Sequence, residues 1–392
     1  MLVHEVSPPR RRWWPVAAAL ALAGVISAAI LLDQKPRGAS PAPAPVVADP
    51  APAPATPPPA APPSPSPPAV CDPQHPPAGA IDEPIEYVAA ASDAPVIAVA
   101  SLHHVWISRD DGKTFTRALE SGGGIRSLFA EPDGRVYAVR GDWVNHPAEE
   151  LGIAEPDGRE RWREPPGDAL PVDARGGWIV GMASPDGMLV GWDAGNKWER
   201  IPATHGWNPW RLAMGTGRVS YYLAKRIDAV DHSMHLLAAS EAGRARSLWS
   251  MPLAEEAGVG TPDGIIPCAA LAGDTLYIVV RGTRPGSSRL LAIGPDGHPH
   301  ERLGQLFDDP KLTCDIAGNE RATYMTLHTS VTMYRVIRID TDEPRDVAEY
   351  TTGFKRIVVD AHGNLVFLEN GCLQRVSQAG RQTQLVCGPD HR

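Results

Sequence analysis

The chain has 392 residues, of which 41 are proline and 37 are glycine, a proportion too high for a helical bundle. Hydrophobic residues make up 43% of the chain, which is enough for a sizeable core and excludes disorder throughout. The formal net charge of −9 gives no electrostatic reason to bind nucleic acid, so we expect no nucleic-acid partner.

An apolar run flanked by arginines opens the chain. Residues 10–12 are arginines, Trp13 and Trp14 follow, and residues 16–32 carry no charge. As a helix, residues 13–32 span about 30 Å, the thickness of one hydrocarbon core. Because arginines mark the cytoplasmic side, we predict a cytoplasmic tail at 1–12 and a transmembrane signal anchor at 13–32. This predicts a bacterial inner-membrane protein whose remaining residues lie outside the cytoplasm.

Two alternatives remain for this run. A cleaved signal peptide needs a shorter apolar region followed by a small-x-small site, and no good site appears before Ala39. A lipoprotein needs a cysteine directly after the run, whereas the first cysteine is Cys71. A buried soluble helix is the other alternative, but the composition of the segment that follows argues against it.

A proline- and alanine-rich linker occupies residues 33–80. Of the 30 residues from 41 to 70, 14 are proline and 9 are alanine. Such a segment cannot pack, so we expect an extended spacer that reaches about 90 Å from the membrane. A ligand for a proline-recognition module is the alternative interpretation.

Short alternating strands separated by glycine-containing turns fill residues 81–392. One type of hairpin recurs, and its copies begin at Tyr87, Leu128, Val172, Leu212, Ala270, Asp315 and Val358. A second hairpin follows each copy, with turns at Asp110–Gly112, Pro156–Gly158, Asp193–Gly195, Glu241–Gly243, Pro295–Gly297, Thr341–Glu343 and Gln378–Gly380. Four strands in roughly 45 residues make one propeller blade. We therefore predict an all-β fold, a seven-bladed β-propeller of four antiparallel strands per blade. Six blades, with the first or fourth unit misread, and a two-sheet sandwich are the alternatives.

The second turn of the first unit carries a motif. Ser108, Asp110, Gly112, Thr114 and Phe115 resemble the Asp-box of BNR-like β-propellers of the sialidase, sortilin and photosystem-assembly-factor type. A partial copy, with an aspartate, a glycine and a closing aromatic residue, lies at 192–198. The resemblance implies a turn between the third and fourth strands of a blade. It implies a structural role, because one aspartate pair lacks the six or more oxygen ligands that calcium needs.

The catalytic groups of a sialidase-like site are not evident. Such a site needs three arginines, a tyrosine nucleophile with a carboxylate partner, and an acidic aspartate, and members usually start with an Arg-Ile-Pro-like strand. Residues 124–127 are the nearest segment and lack the proline. The histidine pairs 103/104, 232/235 and 298/300 do not have convincing metal-ligand spacing. We expect no catalytic site, metal or cofactor.

Two tryptophans stand out in a polar segment between the third and fourth units. Trp207 and Trp210 lie in His-Gly-Trp-Asn-Pro-Trp, residues 205–210. Exposed indoles there would stack on a sugar ring or anchor a protein partner. The alternative is that one or both pack between blades.

The five cysteines allow two disulfides. With a two-residue loop at 379–380, Cys372 and Cys387 face each other in the last hairpin, in the wider kind of antiparallel pair, so a bulge is expected. Cys268 and Cys314 occupy similar places in neighbouring units and form a second candidate pair. Cys71 remains, either free or joined to a second chain. Five reduced cysteines in a cytosolic protein are the alternative.

Two classes of function follow. The first is a membrane-tethered extracytoplasmic propeller that acts as a non-catalytic binding or scaffold module for an unknown envelope protein or glycan. The second is an envelope glycoside hydrolase or lyase of sialidase-like fold, which only the Asp-box motivates. Fold alone does not decide between them.

Overall fold

The computed structural model describes residues 81–141, 150–166, 169–183, 187–215, 219–226, 233–240, 245–252, 268–280, 288–304, 314–328, 333–350 and 355–389. The predicted tail, anchor and linker, residues 1–80, lie outside these ranges, as does Cys71. Within the described ranges, no helix is long and apolar enough to span a bilayer.

The described residues form seven four-stranded antiparallel sheets, and the strands of each sheet pair in chain order. We call the sheets blades 1 to 7. The first three are β1 Tyr87–Ala90, β2 Ile97–Ala100, β3 His104–Ser108 and β4 Thr116–Glu120; β5 Ile125–Ala130, β6 Val136–Arg140, β7 Glu150–Ala154 and β8 Glu160–Arg163; β9 Ala169–Arg175, β10 Trp178–Ala183, β11 Met188–Trp192 and β12 Lys197–Arg200. A single 3₁₀ turn, Pro202–Thr204, leads from blade 3 to blade 4 within the described residues.

The other four blades continue in the same way. They are β13 Trp207–Met214, β14 Val219–Arg226, β15 Ser233–Ser240 and β16 Ala245–Pro252; β17 Ala269–Ala272, β18 Thr275–Val280, β19 Arg289–Ile293 and β20 Pro299–Leu303; β21 Cys314–Gly318, β22 Thr323–His328, β23 Tyr334–Arg338 and β24 Arg345–Tyr350; β25 Lys355–Val359, β26 Leu365–Glu369, β27 Cys372–Val376 and β28 Gln382–Cys387.

The first strands of the blades make a closed ring. Each of them contacts the first strand of the next blade, and β25 contacts β1. Together they line a central channel. The prediction of a seven-bladed β-propeller with four antiparallel strands per blade is confirmed, and the six-bladed and sandwich alternatives are wrong.

Alternation along each strand explains how the blades stack. In β6, Val136 and Ala138 pack toward blade 1, whereas Tyr137 and Val139 pack toward blade 3. Successive side chains of a strand point to opposite faces of its sheet. Both faces of a blade are therefore apolar, and each is buried only when a neighbouring blade covers it.

Blades 1 and 7 close the ring without sharing a strand, since each sheet contains only consecutive strands. Apolar side chains fill this interface, including Ile85 and Phe115 against Val366 and Leu373. An ion pair reinforces it, because Arg375 lies 2.7 Å from an Asp111 carboxylate oxygen and 2.9 Å from Asp360.

The ring has two unlike ends. At the turn end, connections between first and second strands and between third and fourth strands contain two to seven residues. At the loop end lie the connections between second and third strands and those between blades, which contain up to sixteen residues, as in 253–268. The predicted second turns fall at the turn end; only the one at 241–243 lies outside the described residues.

Candidate functional site

The turn that resembles an Asp-box, residues 108–115, lies at the turn end of blade 1, between β3 and β4. The Ser108 hydroxyl donates to Asp110 Oδ1 at 2.8 Å and accepts the Gly112 N–H at 2.7 Å. The backbone N–H and hydroxyl of Thr114 donate to the two Asp110 oxygens at 2.9 and 2.7 Å. Gly112 has φ +82°, and Phe115 packs into the interface of blades 1 and 7. These contacts pair the hydrogen-bonding groups of the motif with one another within the turn.

The same hydrogen-bond donors stabilise the negative charge of the Asp110 carboxylate. The hydrogen bonds from Thr114 lower the pKa of Asp110 to about 2. In the described part of the chain, no group of three histidine, cysteine, aspartate or glutamate side chains could hold a metal ion. The hydrogen bonds described for the Asp110 carboxylate lie within the turn itself.

A cavity of about 420 Å³ lies in the channel at the turn end. Arg175 of blade 3 and Glu320 of blade 6 form an ion pair there. Asp173 lies in the channel wall and accepts the Met214 N–H at 2.8 Å. Burial raises the pKa of Asp173 to about 6, although that hydrogen bond and the charge of Arg175 lower it. At this mouth of the channel, the charged groups Arg175 and Glu320 are therefore paired with each other.

A second cavity, of about 390 Å³, opens toward the loop end. Tyr87 of blade 1, Arg126 of blade 2 and Arg356 of blade 7 line it on one side. The opposite side is formed by residues of blades 4 and 5, including Tyr221 and Leu276. This cavity combines aliphatic walls with guanidinium groups, the mixture found in ligand sites.

Three residues meet at this mouth. The Arg356 guanidinium carbon lies 4.8 Å from the centroid of the Tyr87 ring. Burial raises the pKa of Tyr87 above its ordinary value, while the charges of Arg356 and Arg126 act in the opposite direction. Two guanidinium groups are thus close enough to Tyr87 to influence the same phenol.

β-Bulges, which are irregularities in the pairing register of two strands, determine where these arginines lie. In β5, Ile125 pairs with Arg140 and Ser127 with Val139, so Arg126 is the extra residue of a β-bulge. In β25, Arg356 is likewise extra, and it has φ +54°. Bulges re-aim side chains and concentrate at functional sites. The sequence places Arg126 only within an incomplete Arg-Ile-Pro-like strand and does not single out Arg356, because local sequence does not reveal strand register.

The structure corrects the interpretation of the two tryptophans. They lie within strand β13, not in a connecting loop. Trp207 is half-buried against the core between blades 3 and 4, and its ring lies 5.1 Å from that of His235 in an edge-on arrangement. Trp210 is the extra residue of another first-strand bulge, between Pro209 and Arg211, and Val172 is the extra residue of a fourth, in β9.

Both candidate cysteine pairs lie at the loop end and are capable of forming disulfides. Cys268 and Cys314 join blades 5 and 6 with a Cα–Cα distance of 5.7 Å, and Cys372 and Cys387 join strands of blade 7 at 4.0 Å. The two-residue loop assumed for the last hairpin is wrong, because Val376 pairs with Gln382 across a wider turn. A bulge after Leu373 shifts the register by one residue and restores the pairing of Cys372 with Cys387.

The loop-end mouth falls short of a sialidase-like constellation. Among the side chains that the structure describes, the cavity lining supplies two arginines and not three. Burial raises the pKa of Tyr87, which disfavours the phenolate that a tyrosine nucleophile needs.

Comparisons with known proteins show the fold only. No family model matches the chain, and no curated protein matches it. Among solved structures, the Cps50 (Swd1) β-propeller domain of Myceliophteria thermophila is 10% identical with a TM-score of 0.50, over 78% of this chain and 96% of that one. PorZ, a surface component of the type IX secretion system of Porphyromonas gingivalis, is 10% identical with a TM-score of 0.51, over 80% of this chain and 39% of that one. U3-55K is 12% identical with a TM-score of 0.50, over 73% and 88%. At these identities, the chain is shown to share the β-propeller fold with these proteins.

Proposed function

We propose that this chain is a non-catalytic binding or scaffold module, tethered to the bacterial inner membrane by residues 13–32 and exposed outside the cytoplasm. Its partner is an envelope protein that docks at the loop end of the propeller. The asymmetry of the two ends supports this proposal most strongly. Long connections and the first-strand bulges at Arg126 and Arg356 lie at the loop end, whereas short self-bonded turns fill the other end.

Site-directed photo-crosslinking tests which end contacts the partner. Leu102, in the loop-end connection between β2 and β3, is 39% exposed and is a suitable position for a benzophenone amino acid. Asp133, exposed in the turn between β5 and β6, is the matched position at the turn end. We expect a discrete crosslinked species from position 102 in intact cells and none from 133. Crosslinks from 133 alone would contradict the proposed docking end.

The membrane tether is tested separately. If residues 13–32 remain as an anchor, the full-length protein stays in the membrane fraction after carbonate washing of a Gram-negative host. A soluble fragment that begins near residue 40 would instead show a cleaved signal peptide.

The competing function is an envelope glycoside hydrolase or lyase. The Asp-box and the presence of Arg126, Arg356 and Tyr87 at one mouth favour it. Incubation of the full-length protein with a panel of aryl glycosides separates the two. We expect no turnover above a heat-denatured control, and turnover that disappears in Tyr87→Phe would replace the binding proposal.

A further inference from the structure

The loop-end mouth contains an arrangement that the overall proposal does not explain. Blades 2 and 7 flank blade 1, and each contributes an arginine as the extra residue of a bulge in its first strand. The first strand of blade 1 pairs regularly with β2 and has no bulge. Both arginines line the same cavity as Tyr87, and the Arg356 guanidinium carbon lies 4.8 Å from the centroid of the Tyr87 ring.

Arg356 adopts a conformation that its own residue type disfavours. Its φ of +54° is in the left-handed region, which is unfavourable for a residue with a Cβ. Asparagine or glycine would fit this backbone more easily. Arg356 is exposed overall, and its guanidinium lies against the Tyr87 ring at the cavity. Residues held in a disfavoured backbone conformation cluster at binding and active sites.

The chemistry of the mouth favours a single carboxylate. Guanidinium groups are planar forks that bind carboxylates through two parallel hydrogen bonds. Asp315 also lines this cavity, and the negative charge of Glu86 acts on the Tyr87 phenol. These acidic side chains disfavour ligands with several negative charges. The chain as a whole is acidic, so long-range attraction does not supply the affinity.

The channel wall offers groups that match a peptide backbone. Each first strand has a hydrogen-bonded neighbour on one side only, so its other edge presents backbone N–H and C=O groups to the channel. Aliphatic side chains such as Leu271 and Ile316 lie between those edges in the cavity wall. An extended chain end can therefore pair its amides with a strand edge and place an apolar side chain against the wall.

From these observations we infer that the loop-end mouth captures the free C-terminal carboxylate of a partner polypeptide, with Arg126 and Arg356 as the two carboxylate ligands. This inference deepens the proposed function and rests on it. Tyr87 positions Arg356 by stacking under its guanidinium.

Fluorescence anisotropy with the full-length protein in detergent micelles tests the inference. The probe is a fluorescein-labelled heptapeptide, Gly-Ser-Gly-Ser-Ala-Val-Leu, prepared as the free acid and as the C-terminal amide. We expect the free acid to bind at least tenfold more tightly than the amide. Equal binding of the two forms, or binding of neither, would overturn the inference.

Arginine variants identify the ligands. Arg126→Gln and Arg356→Gln should each weaken binding of the free acid at least tenfold, and Arg356→Lys should weaken it less, because it keeps the charge and loses the fork. Arg175→Gln is the matched control, since Arg175 lines the channel at the turn end. Circular dichroism and thermal melts verify that each variant is folded. Unchanged affinity in both glutamine variants would overturn the assignment.

Competition distinguishes a peptide from an acidic sugar, the other bearer of a single carboxylate. Glucuronate that displaces the probe at lower concentration than the unlabelled free-acid peptide would overturn the peptide assignment.

The photo-crosslinking experiment separates this inference from the proposed function. If the crosslink from position 102 persists in the double variant Arg126→Gln/Arg356→Gln, the inference fails and the binding module stands. If position 102 never crosslinks, the proposed function itself fails.

Discussion

The two ends of the propeller differ in how their polar and charged side chains are arranged, although the same strands reach both ends. At the turn end, carboxylates such as Asp110, Asp360 and Glu131 accept hydrogen bonds from backbone N–H groups of their own or a neighbouring turn. At the loop end, strands are bulged, arginines line a cavity, and two cysteine pairs join the chain. The turn end is stabilised by hydrogen bonds within and between its turns, and the loop end carries two arginines in the lining of a cavity. This difference is the basis for proposing the loop end as the binding site.

The turn end should respond most strongly to loss of Glu131. This fully buried carboxylate accepts the Tyr137 hydroxyl at 2.5 Å and the Gly177 N–H at 2.9 Å, and it pairs with Arg135 at 3.2 Å. Glu131→Ala leaves buried donors without an acceptor, so we expect a loss of about 3 kcal/mol or more in the free energy of unfolding. Urea denaturation measures it, with exposed Glu160→Ala as control, for which a change below about 0.5 kcal/mol is expected.

The loop end should depend on its disulfides. Non-reducing peptide mapping should recover Cys372 with Cys387 and Cys268 with Cys314. Removing the first pair as Cys372→Ala/Cys387→Ala opens a loop with a sequence separation of 15 and should cost about 2 kcal/mol. Cys71→Ser is the control, because it removes a thiol without affecting either pair. Free, alkylatable Cys372 and Cys387 in protein produced outside the cytoplasm would contradict the pairing.

The Asp-box carboxylate should make the turn end sensitive to acid. The folded-state pKa of Asp110, about 2, lies below its ordinary value of 3.8. Its stabilisation is therefore complete above about pH 4 and is lost as the pH falls through 2. Asp110→Asn should lower the free energy of unfolding by about 1 kcal/mol at pH 7, after allowing for solvent screening. The urea midpoint of the variant should lie below that of the wild type at pH 7 and approach it at pH 2.5, while exposed Asp342→Asn should shift neither midpoint.

Asp173 should show the opposite dependence on pH at the same end. Its pKa of about 6 lies above the ordinary value of 3.8, so the stability it contributes is present below pH 4 and is lost as the pH rises through 6. Asp173→Asn should therefore stabilise the protein by about 1 kcal/mol at pH 8 and have little effect at pH 4. Thermal melts at the two pH values measure this, and a destabilised variant at pH 8 would show that the carboxylate is needed in its charged form.

The smallest effect on stability is expected at the mouth. Arg356→Gly removes an exposed side chain and relieves the positive φ, and the added chain entropy of glycine opposes that gain. We expect the free energy of unfolding to change by less than about 1 kcal/mol. The same variant should lose binding of the free-acid peptide, which separates binding from stability. A loss of more than 2 kcal/mol would mean that Arg356 has a structural role.

The sequence alone determined the architecture because a propeller repeats one local pattern. Period-two alternation and glycine-containing turns recur at nearly constant spacing, so seven four-stranded units could be counted before any long-range contact was known. The cysteine pair of the last hairpin also followed from local register, although two errors cancelled: the loop is wider than assumed and a bulge compensates for it. Segment 205–210 was misassigned as a loop because its polar residues concealed a strand that pairs with β14.

Only the tertiary structure shows which residues, distant in the sequence, lie together at the loop-end cavity. Tyr87, Arg126 and Arg356 are separated by up to 269 positions in the chain and meet because the ring brings blade 7 back to blade 1. The bulges that single out the two arginines are shifts between strand partners, which a one-dimensional pattern of residues does not encode. Likewise, the buried state of Glu131 and the raised pKa of Asp173 depend on neighbouring blades that cover them. Local hydrogen bonding and alternation fix the blades, and closure of the ring creates the site.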